Sequence, residues 1–340
     1  MKNTAIVILN WNGEKFLEKF LPVLIDNSPK EFSKIWIIDN ASNDNSIEYI
    51  NNNFPEIGLV QLDKNYGFTG GYNKGLKEIE ADYYLILNSD IEVTPDWLLP
   101  LIDEMENNPG TGICGPKLLD YHQKDKFEYA GASGGFIDKY GYPFCRGRLF
   151  ESLEQDSGQY DDSISCFWIT GAALMIRTEL FWELGGFDDS FFAHMEEIDL
   201  CWRAKNNGHK VVCVPKSIVY HVGGGTLPKA NASKTYYNFK NNLSLLFKNL
   251  PSERLFRVFL ARFFLDQLAA IRMILQDNFK HSMSVYKAYF KFSLSLLGLI
   301  KKRKKLNQKS LQAHDGFYDK SIVYQYFLKG INKFKDLPFF

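Results

Sequence analysis

The sequence contains no long uninterrupted run of apolar residues. Its two most apolar stretches, residues 253–276 and 281–300, are each interrupted by charged side chains, whereas a helix that spans a bilayer needs about 20 consecutive apolar residues. The apolar run near the amino terminus, Ala5–Leu9, is too short for a signal peptide. We therefore expect neither a membrane-spanning helix nor a secretion signal.

Cysteine is also scarce. The five cysteines are odd in number, far apart and never arranged as C-x-x-C: Cys114, Cys145, Cys166, Cys201 and Cys213. This spacing indicates neither a disulfide framework nor a zinc knuckle. It is typical of a reducing compartment, and we predict a cytoplasmic location.

The net charge is zero, but basic and acidic residues are unevenly distributed along the chain. The 340 residues include 40 basic and 40 acidic side chains. Residues 226–340 contain 21 Lys and Arg but only 6 Asp and Glu, so they carry a net charge of +15, and residues 1–225 carry a net charge of −15. Two regions of opposite charge are expected to face different partners. We predict a catalytic domain over residues 1–226 and a basic, helical region over residues 227–340.

What the chain does contain is a series of apolar runs that end in polar or glycine-rich turns. Four such runs precede residue 90, and the helix-length segments Glu14–Asp26 and Ser46–Asn53 separate the first three. Alternating strands and helices predict a mostly parallel sheet with helices on both faces. Ligands bind such sheets at the carboxyl ends of the strands, where these turns fall.

Later segments continue this organisation. Further strands are expected at residues 112–119, 170–176 and 210–215, and long helices at 253–276 and 281–300. The intervening residues 117–165, rich in Gly, Tyr and Asp, are expected to form excursions from the sheet.

Several turns contain candidate functional residues, each with a structural alternative. Asp90 follows an apolar strand, where a divalent cation could link it to a diphosphate, or it could cap the next element. Asp39 could accept hydrogen bonds from a nucleobase or ribose, or cap a helix with Ser42. The glycine-rich Asn65–Gly75 could approach a phosphate closely, although it is neither G-x-G-x-x-G nor a P-loop. His221 is either a ligand or an ordinary loop histidine.

The segment HMEEIDLCWR, His194–Arg203, places three carboxylates within four positions. One interpretation is a helix start, because acids are favoured in the first turn of a helix. Its apolar residues at helical spacing would then be buried, and Asp199 would pair with Arg203. The other interpretation is an acid–base site formed by Glu196 and Glu197.

Taken together, these segments resemble glycosyltransferase family 2, the inverting nucleotide-sugar transferases with the GT-A fold, and especially its rhamnosyltransferase-like branch. The resemblance extends over residues 3–226 and implies an α/β fold: a mostly parallel twisted sheet flanked by helices, with a C-terminal helical appendage. The matching segments are ILNWNG (8–13), IDNASNDNS (38–46), NYGFTGGYNKG (65–75), LILNSD (85–90), WITGAALMIR (168–177) and GGFDDSFFAHMEEIDLCWR (185–203).

The resemblance implies a metal site and an acidic pair. Asp90 and His221 would bind Mn²⁺ or Mg²⁺. Asp90 is similar to the second acid of the family's D-x-D element, whose first acid is replaced here by Asn88. Glu197 takes the position of the general base, and Glu196 would orient the acceptor or donor sugar. The opposite assignment of the two glutamates stays open.

The resemblance also implies residues that contact the substrates. The acceptor or sugar pocket would include Trp168, Thr170 and Gly171. The nucleotide-sugar contacts would come from Asn10, Asn12, Asp39, Asn40, Asn65, Gly67, Phe68, Gly71, Asn73, Asn88, Ser89 and Asp90.

The expected function is a metal-dependent, inverting hexosyltransferase of a bacterial cell envelope. It would move a sugar from a nucleotide-diphosphate donor, such as dTDP-rhamnose, to a polysaccharide or a lipid-linked glycan, without a nucleic-acid partner. One alternative is a catalytically silent nucleotide-sugar-binding or scaffold protein. A nucleotidyltransferase is disfavoured, because a basic phosphate loop would follow its first strand, where this chain has Asn10-Trp11-Asn12-Gly13.

The basic carboxy-terminal region has two interpretations. KKRKK at residues 301–305 follows the apolar residues 292–300. This pattern could lie on the anionic inner face of the plasma membrane, where each basic residue contributes about 1 kcal/mol. Alternatively, the region is a helical hairpin that packs on the catalytic domain and has a solvated basic end.

Overall fold

The computed structural model describes residues 2–223, 232–276 and 278–339. The strands are β1 Thr4–Asn10, β2 Ser33–Asp39, β3 Gly58–Gln61, β4 Tyr83–Leu87, β5 Ile91–Val93, β6 Thr111–Asp120, β7 Gly135–Asp138, β8 Pro143–Cys145, β9 Arg148–Leu149, β10 Ser152–Leu153, β11 Ile164–Ser165, β12 Ala173–Arg177, β13 Lys210–His221 and β14 Phe317–Tyr318. The α-helices are α1 Glu14–Asp26, α2 Ser46–Asn53, α3 Gly67–Gly75, α4 Leu99–Asn107, α5 Thr178–Glu183, α6 Glu196–Asn206, α7 Ala232–Asn249, α8 Ser252–Leu275, α9 Phe279–Arg303 and α10 Ile322–Phe327.

Nine strands form the main sheet, in the order β11-β13-β6-β12-β4-β1-β2-β3, with β5 paired to β13. The section from β3 to β4 is parallel, which confirms the first four predicted strands. β12 enters antiparallel between β4 and β6. The parallel pairing brings the carboxyl ends of β1, β2 and β4 to one edge of the sheet.

Both faces of the sheet are covered, as expected for a sheet flanked by helices. In β4, Tyr84 and Ile86 belong to one apolar cluster and Leu85 and Leu87 to the other, because successive side chains of a strand point to opposite faces. The amphipathic α1 buries its apolar side chains on the second of these clusters. Both α1 and α2 have the bounds that the sequence predicted.

The expectation for residues 117–165 needs correction. The beginning of this segment extends β6, and β7 to β10 form a separate five-stranded sheet that is completed by β14 from the carboxy-terminal region. The strands of this small sheet are only two to four residues long. An alternating apolar pattern cannot be recognised over so few residues.

The carboxy-terminal region is helical, as predicted, and α8 and α9 begin and end within three residues of the expected bounds. The helix α7 was not predicted from the sequence. Its buried side chains include Asn241, Asn242, Lys248 and Asn249. The predicted domain boundary at residues 226 and 227 lies outside the described residues. Within the three described ranges, no helix is both long and apolar enough to cross a bilayer.

Candidate functional site

Hydrogen bonds join the ends of β1 and β2. Asn10 donates from Nδ2 to Oδ1 of Asp39 (3.0 Å) and to Oγ of Ser42 (3.1 Å), and the backbone N–H of Ser42 donates to Oδ2 of Asp39 (2.9 Å). The backbone N–H of Asn12 also donates to Ser42 Oγ, and Oδ1 of Asn12 accepts from the N–H of Asn43. Asn10 and Asp39 are buried. The predicted residues Asn10, Asn12 and Asp39 therefore lie in one polar cluster.

Asn40 connects the end of β2 to the glycine-rich segment. Its Nδ2 donates to Oδ1 of Asn65 (3.0 Å) and to the carbonyl of Gly67 (3.1 Å), and its Oδ1 accepts from the N–H of Tyr66 (2.9 Å). Gly71 packs so closely that a Cβ there would lie 2.7 Å from Cδ1 of Leu9. A side chain at Gly71 would therefore force the side chain of Leu9 to move.

The same segment holds the loop before the acidic pair. The side-chain amide of Asn73 donates to the carbonyl of Phe187 and to Asp189, and its oxygen accepts from the N–H of Phe187. Phe68 packs edge-on against Phe187, with ring centroids 5.6 Å apart. Thr69 Oγ1 donates to the carbonyl of Phe191 (2.9 Å). Both polar atoms of the Asn73 side chain are thus engaged with the loop.

α6 begins directly at the acidic pair, after an unusual turn. His194 and Met195 have φ angles of 70° and 75°, which are uncommon for residues other than glycine. Asn241 of α7 donates two hydrogen bonds from Nδ2, to the carbonyls of Ala193 (2.8 Å) and His194 (2.9 Å). The carboxy-terminal region therefore holds the turn that directs Glu196 into the protein.

Glu196 is buried, and Glu197 is partly buried. Oε2 of Glu196 and Oε2 of Glu197 are both buried without a hydrogen-bond partner. Burial raises the pKa of Glu197 to about 7, although nearby backbone amides oppose this. Burial and the repulsion by Glu197 raise the pKa of Glu196 well above its usual value. The pKa values of both carboxyl groups are thus raised, and perturbed pairs of this kind occur in acid–base sites.

The helix-start interpretation is also confirmed. The apolar residues Ile198, Cys201 and Trp202 are fully or almost fully buried, and Asp199 pairs with Nε of Arg203 at 2.8 Å. Asp199 thus has a structural role. The structural interpretation therefore holds for Asp199, and the acid–base interpretation of Glu196 and Glu197 stays a prediction.

The turn before β12 links the acidic pair to the end of β4. A Cβ at Gly171 would lie 3.6 Å from Cβ of Glu197 and 3.4 Å from the ring of Phe68. The N–H of Ala172 donates to Oγ1 of Thr170, and the carbonyl of Ala172 accepts from the N–H of Asn88 (2.9 Å). Thr170, Gly171 and Asn88 are therefore brought together with Glu197.

The ring of Trp168 lies elsewhere. It is 3% exposed and donates from Nε1 to the carbonyl of Phe136 in β7 (2.9 Å). Its indole covers Gly135, where a Cβ would lie 2.1 Å from the ring. The indole of Trp168 thus packs against the small sheet, in contrast to Thr170 and Gly171.

Asp90 and His221 meet because β13 pairs with β5 in a register that places His221 opposite Ile91. Nε2 of His221 lies 3.2 Å from Oδ1 of Asp90, and Nδ1 lies 3.2 Å from Oε1 of Glu128. Burial opposes protonation of the imidazole, but the two carboxylates outweigh it and raise the pKa of His221 to about 10. The interaction with His221 lowers the pKa of Asp90 despite its burial.

Ser89 lies close to the polar cluster of β1 and β2. A Cβ at Gly13 would lie 2.4 Å from Oδ1 of Asn10 and 3.7 Å from Oγ of Ser89. The Asn88-Ser89-Asp90 element therefore connects two parts of the site. Asn88 lies near the acidic pair, and Ser89 lies near the ends of β1 and β2.

The side chains fit a divalent cation that is shared with a substrate. Within the described stretches of the chain, no three His, Cys, Asp or Glu side chains are arranged to hold a metal by themselves. Mg²⁺ and Mn²⁺ at phosphate sites commonly use one or two protein ligands and complete their coordination with phosphate oxygens and water. Asp90 and His221 supply such a pair, and Glu128 would orient the imidazole as a carboxylate does in many metal sites.

The roles of Glu128 and Asn241 in the candidate site were not predicted from the sequence. Glu128 lies in a segment without a recognisable period, and its only signal was a single acid between Phe127 and Tyr129. Asn241 lies 48 positions from Ala193 and 47 positions from His194, the residues whose carbonyls it contacts. No local pattern indicates a contact at such separation.

Proteins of known family share sequence with this chain. Residues 5–185 match the glycosyl transferase family 2 profile. An N-acetylglucosaminyl-diphospho-decaprenol L-rhamnosyltransferase of Mycobacterium tuberculosis is 24% identical over 64% of this chain and 75% of its own length. An N-acetylgalactosaminyltransferase 6 of Drosophila melanogaster is 25% identical over 66% of this chain, which spans only 34% of that protein.

Solved structures show the same fold at low sequence identity. GalNAc-T7 with UDP, GalNAc and Mn²⁺ superposes with a TM-score of 0.60 at 14% identity, over 88% of this chain and 58% of that one. Staphylococcus aureus TarS 1-349 with UDP-GlcNAc gives a TM-score of 0.57 at 13% identity, over 85% and 80% of the two chains. These neighbours establish a GT-A fold. Because the family match covers more than half of the sequence, the chain belongs to glycosyl transferase family 2.

Proposed function

We propose that the chain is an inverting, metal-dependent glycosyltransferase that uses a nucleotide-diphosphate sugar, with Glu197 as the general base. The observation that carries this proposal is the position of the turn 170–172. It packs against Glu197 on one side and bonds to Asn88 of the Asn88-Ser89-Asp90 element on the other. The acidic pair and the Asp90 element are thereby held at the same edge of the sheet.

The chemistry follows from the protonation of the two glutamates. Glu197, in its ionised form, takes the proton of the acceptor hydroxyl as that oxygen attacks the anomeric carbon. Burial and the charge of Glu197 raise the pKa of Glu196, which favours its protonated form, and in that form it can donate a hydrogen bond to a sugar hydroxyl. A divalent cation at Asp90 and His221 would neutralise the charge of the departing diphosphate. Inversion requires no second carboxylate as a nucleophile.

We also propose a specific donor sugar and a class of acceptor. The mycobacterial relative is named as an L-rhamnosyltransferase that acts on a decaprenol-linked sugar, which supports dTDP-rhamnose as donor and a lipid-linked or polysaccharide acceptor here. Proteins of similar fold have been solved in complex with UDP-GlcNAc and with GDP-Man. These nucleotide sugars are therefore the competing donors in a test.

A donor panel tests the proposal. The full chain is incubated with Mn²⁺ and dTDP-rhamnose, UDP-GlcNAc, UDP-GalNAc or GDP-Man, and both the melting temperature and the release of nucleoside diphosphate are measured. A bound donor at roughly 100 times its Kd stabilises a protein by about 2.7 kcal/mol, so one donor should raise the melting temperature and be turned over.

The matched controls are Asp90→Asn and Asp103→Asn. Asp103 is exposed on α4, so only the Asp90 variant should lose the stabilisation that depends on Mn²⁺. Binding of a donor without any release of nucleoside diphosphate would favour the silent binding protein. No response to any donor would contradict the proposed function altogether.

The proposed base also predicts a pH dependence. Glu197 must be ionised to accept a proton, and burial raises its pKa to about 7. kcat/KM should therefore be low below pH 7 and rise as the pH increases through that value. The measurement is a pH profile at subsaturating acceptor. A profile that is flat between pH 5 and about 8, where an ordinary glutamate is already ionised, would count against Glu197 as the base.

A further inference from the structure

The outer sides of α8 and α9 are apolar. Of the large apolar side chains that these helices expose, twelve recur every three or four residues and are between 41% and 80% exposed. Their spacing of three or four residues places them along one side of each helix, in two stripes each about 28 Å long. We call them together the hairpin face: Phe256, Leu260, Phe264, Leu268, Ile271 and Leu275 on α8, and Phe279, Met283, Tyr286, Phe290, Leu294 and Leu297 on α9.

The two helices adjoin, and only their inner sides pack against the rest of the protein. Phe263 of α8 and Tyr289 of α9 contact each other, with ring centroids 6.2 Å apart. On the inner side, Phe292 of α9 packs with Leu243 of α7. An exposed helix side is normally polar, and soluble monomers rarely expose an apolar patch of more than a few hundred Å². The hairpin face therefore has the character of a binding surface.

The exposed charged side chains of α8 and α9 are mainly basic. Among the described residues of α8 and α9, the acids are Glu253 and Asp266, and Asp266 is buried against Arg262. The exposed basic side chains on the two helices are Arg257, Arg272, Lys280, Lys287, Lys291 and Lys301. Three of the lysines directly follow members of the α9 stripe, so their aliphatic stems can flank the stripe while the ammonium groups extend outward.

This charge pattern selects the partner. A second copy of the chain would bring two basic surfaces together, and like charges across an interface are unfavourable. An anionic lipid surface offers apolar chains to the stripes and phosphate groups to the lysines and arginines. Helices with a wide apolar side and basic flanks lie in the plane of such an interface.

We propose that the hairpin face docks on an anionic lipid bilayer, with α8 and α9 parallel to the membrane surface and neither helix crossing it. This proposal rests on the two helices and not on the donor, the acceptor or the base. Each basic residue near the surface should increase the affinity about fivefold. Binding should therefore be strong on anionic vesicles and fall as salt is added.

The docked face would lie next to the proposed catalytic site. Lys287 of α9 is 5.1 Å from the ring centroid of Tyr236, and the neighbouring Tyr237 stacks on Phe192 of the loop before the acidic pair at 5.6 Å. If the proposed function holds, a lipid-linked acceptor in the same bilayer would reach Glu197 without leaving the membrane. This consequence, unlike the docking itself, depends on that function.

The test is sedimentation of the full chain with vesicles of phosphatidylcholine alone or with phosphatidylglycerol. The double variant Phe264→Glu and Phe290→Glu changes exposed positions of the face, and Asn51→Glu with Asn52→Glu makes the same charge change on the exposed side of α2. Burial of a phenylalanine in lipid contributes about tenfold or more in affinity. The first variant should lose about 100-fold in binding to anionic vesicles, and the second should bind as the unchanged chain does.

Circular dichroism measures the thermal transition of each variant, and light scattering measures its oligomeric state. Both variants should keep the thermal transition of the unchanged chain, because the altered side chains are exposed. Absence of binding to anionic vesicles, equal binding to neutral ones, or equal losses in the two variants would overturn the proposal. A lipid-free dimer that Phe264→Glu and Phe290→Glu convert to monomers would instead assign the face to a second copy of the chain.

Discussion

Replacement of Glu197 by Gln is expected to lower kcat by about 10² to 10⁴, the usual contribution of a general base. Glutamine has nearly the shape of glutamate but cannot accept the proton of the acceptor hydroxyl. The side chain lies beside Gly171 with one carboxylate oxygen buried and unpaired, so the substitution should not disturb the fold. Single-turnover transfer measures the loss, and the shift in melting temperature on adding donor and Mn²⁺ should be unchanged.

Glu196→Gln is the matched comparison. Burial and the charge of Glu197 raise the pKa of Glu196, which is proposed to act while protonated. A glutamine amide can also donate a hydrogen bond to a sugar. Its variant should therefore keep most of kcat and change mainly KM. If Glu196→Gln abolished transfer and Glu197→Gln did not, the two roles would be reversed.

Replacement of Lys248 by Met is expected to lower the free energy of unfolding by about 3 kcal/mol, the lower end of the range for breaking a buried ion pair. Lys248 is 2% exposed and contacts Asp188 and Asp199, the latter at 2.9 Å. Burial alone would raise the pKa of Asp188, but Lys248 and Lys302 outweigh it and hold that pKa below its usual value. Lys302 and Arg203 remain in the variant, which limits the loss.

The midpoint of chemical denaturation measures this effect, and Lys216→Met is the control. Lys216 is exposed in β13, so its replacement should change stability by less than about 0.5 kcal/mol. Transfer should also weaken in Lys248→Met, because α7 provides both this lysine and the Asn241 contacts to the turn before Glu196. Equal stability of the two variants would show that α7 and α6 are not coupled through this pair.

The sequence predicted the elements whose cause is local. The helix Glu14–Asp26 has apolar residues at helical spacing, and the strand Tyr83–Leu87 is a continuous apolar run between polar turns. In both cases the pattern that predicts the element is the pattern that buries it. α7 escaped prediction because its buried positions include Asn241 and Lys248, which contact other segments of the protein by hydrogen bonds and charge and leave no apolar period.

Some residues of the candidate site were also predicted from the sequence, and others were not. Motif resemblance was sufficient to name Asp90, Glu197 and His221, because their residue types and order along the chain identify the family. It did not reveal Glu128, which meets His221 only after β13 has paired with both β5 and β6. It also did not separate Trp168, whose ring packs on Gly135, from Gly171, which lies beside Glu197.

The sequence by itself determined the family, the alternation of strands and helices in the first ninety residues, and the edge of the sheet where the polar turns gather. Each of these follows from residue type and spacing within short segments. The tertiary structure decided which carboxylate of α6 is structural, namely that of Asp199. Of the other two carboxylates, each keeps one buried oxygen without a hydrogen-bond partner. The tertiary structure also decided that the basic region holds the turn before Glu196 and leaves an apolar face outward. These properties depend on burial and on contacts between distant segments, which no local pattern contains.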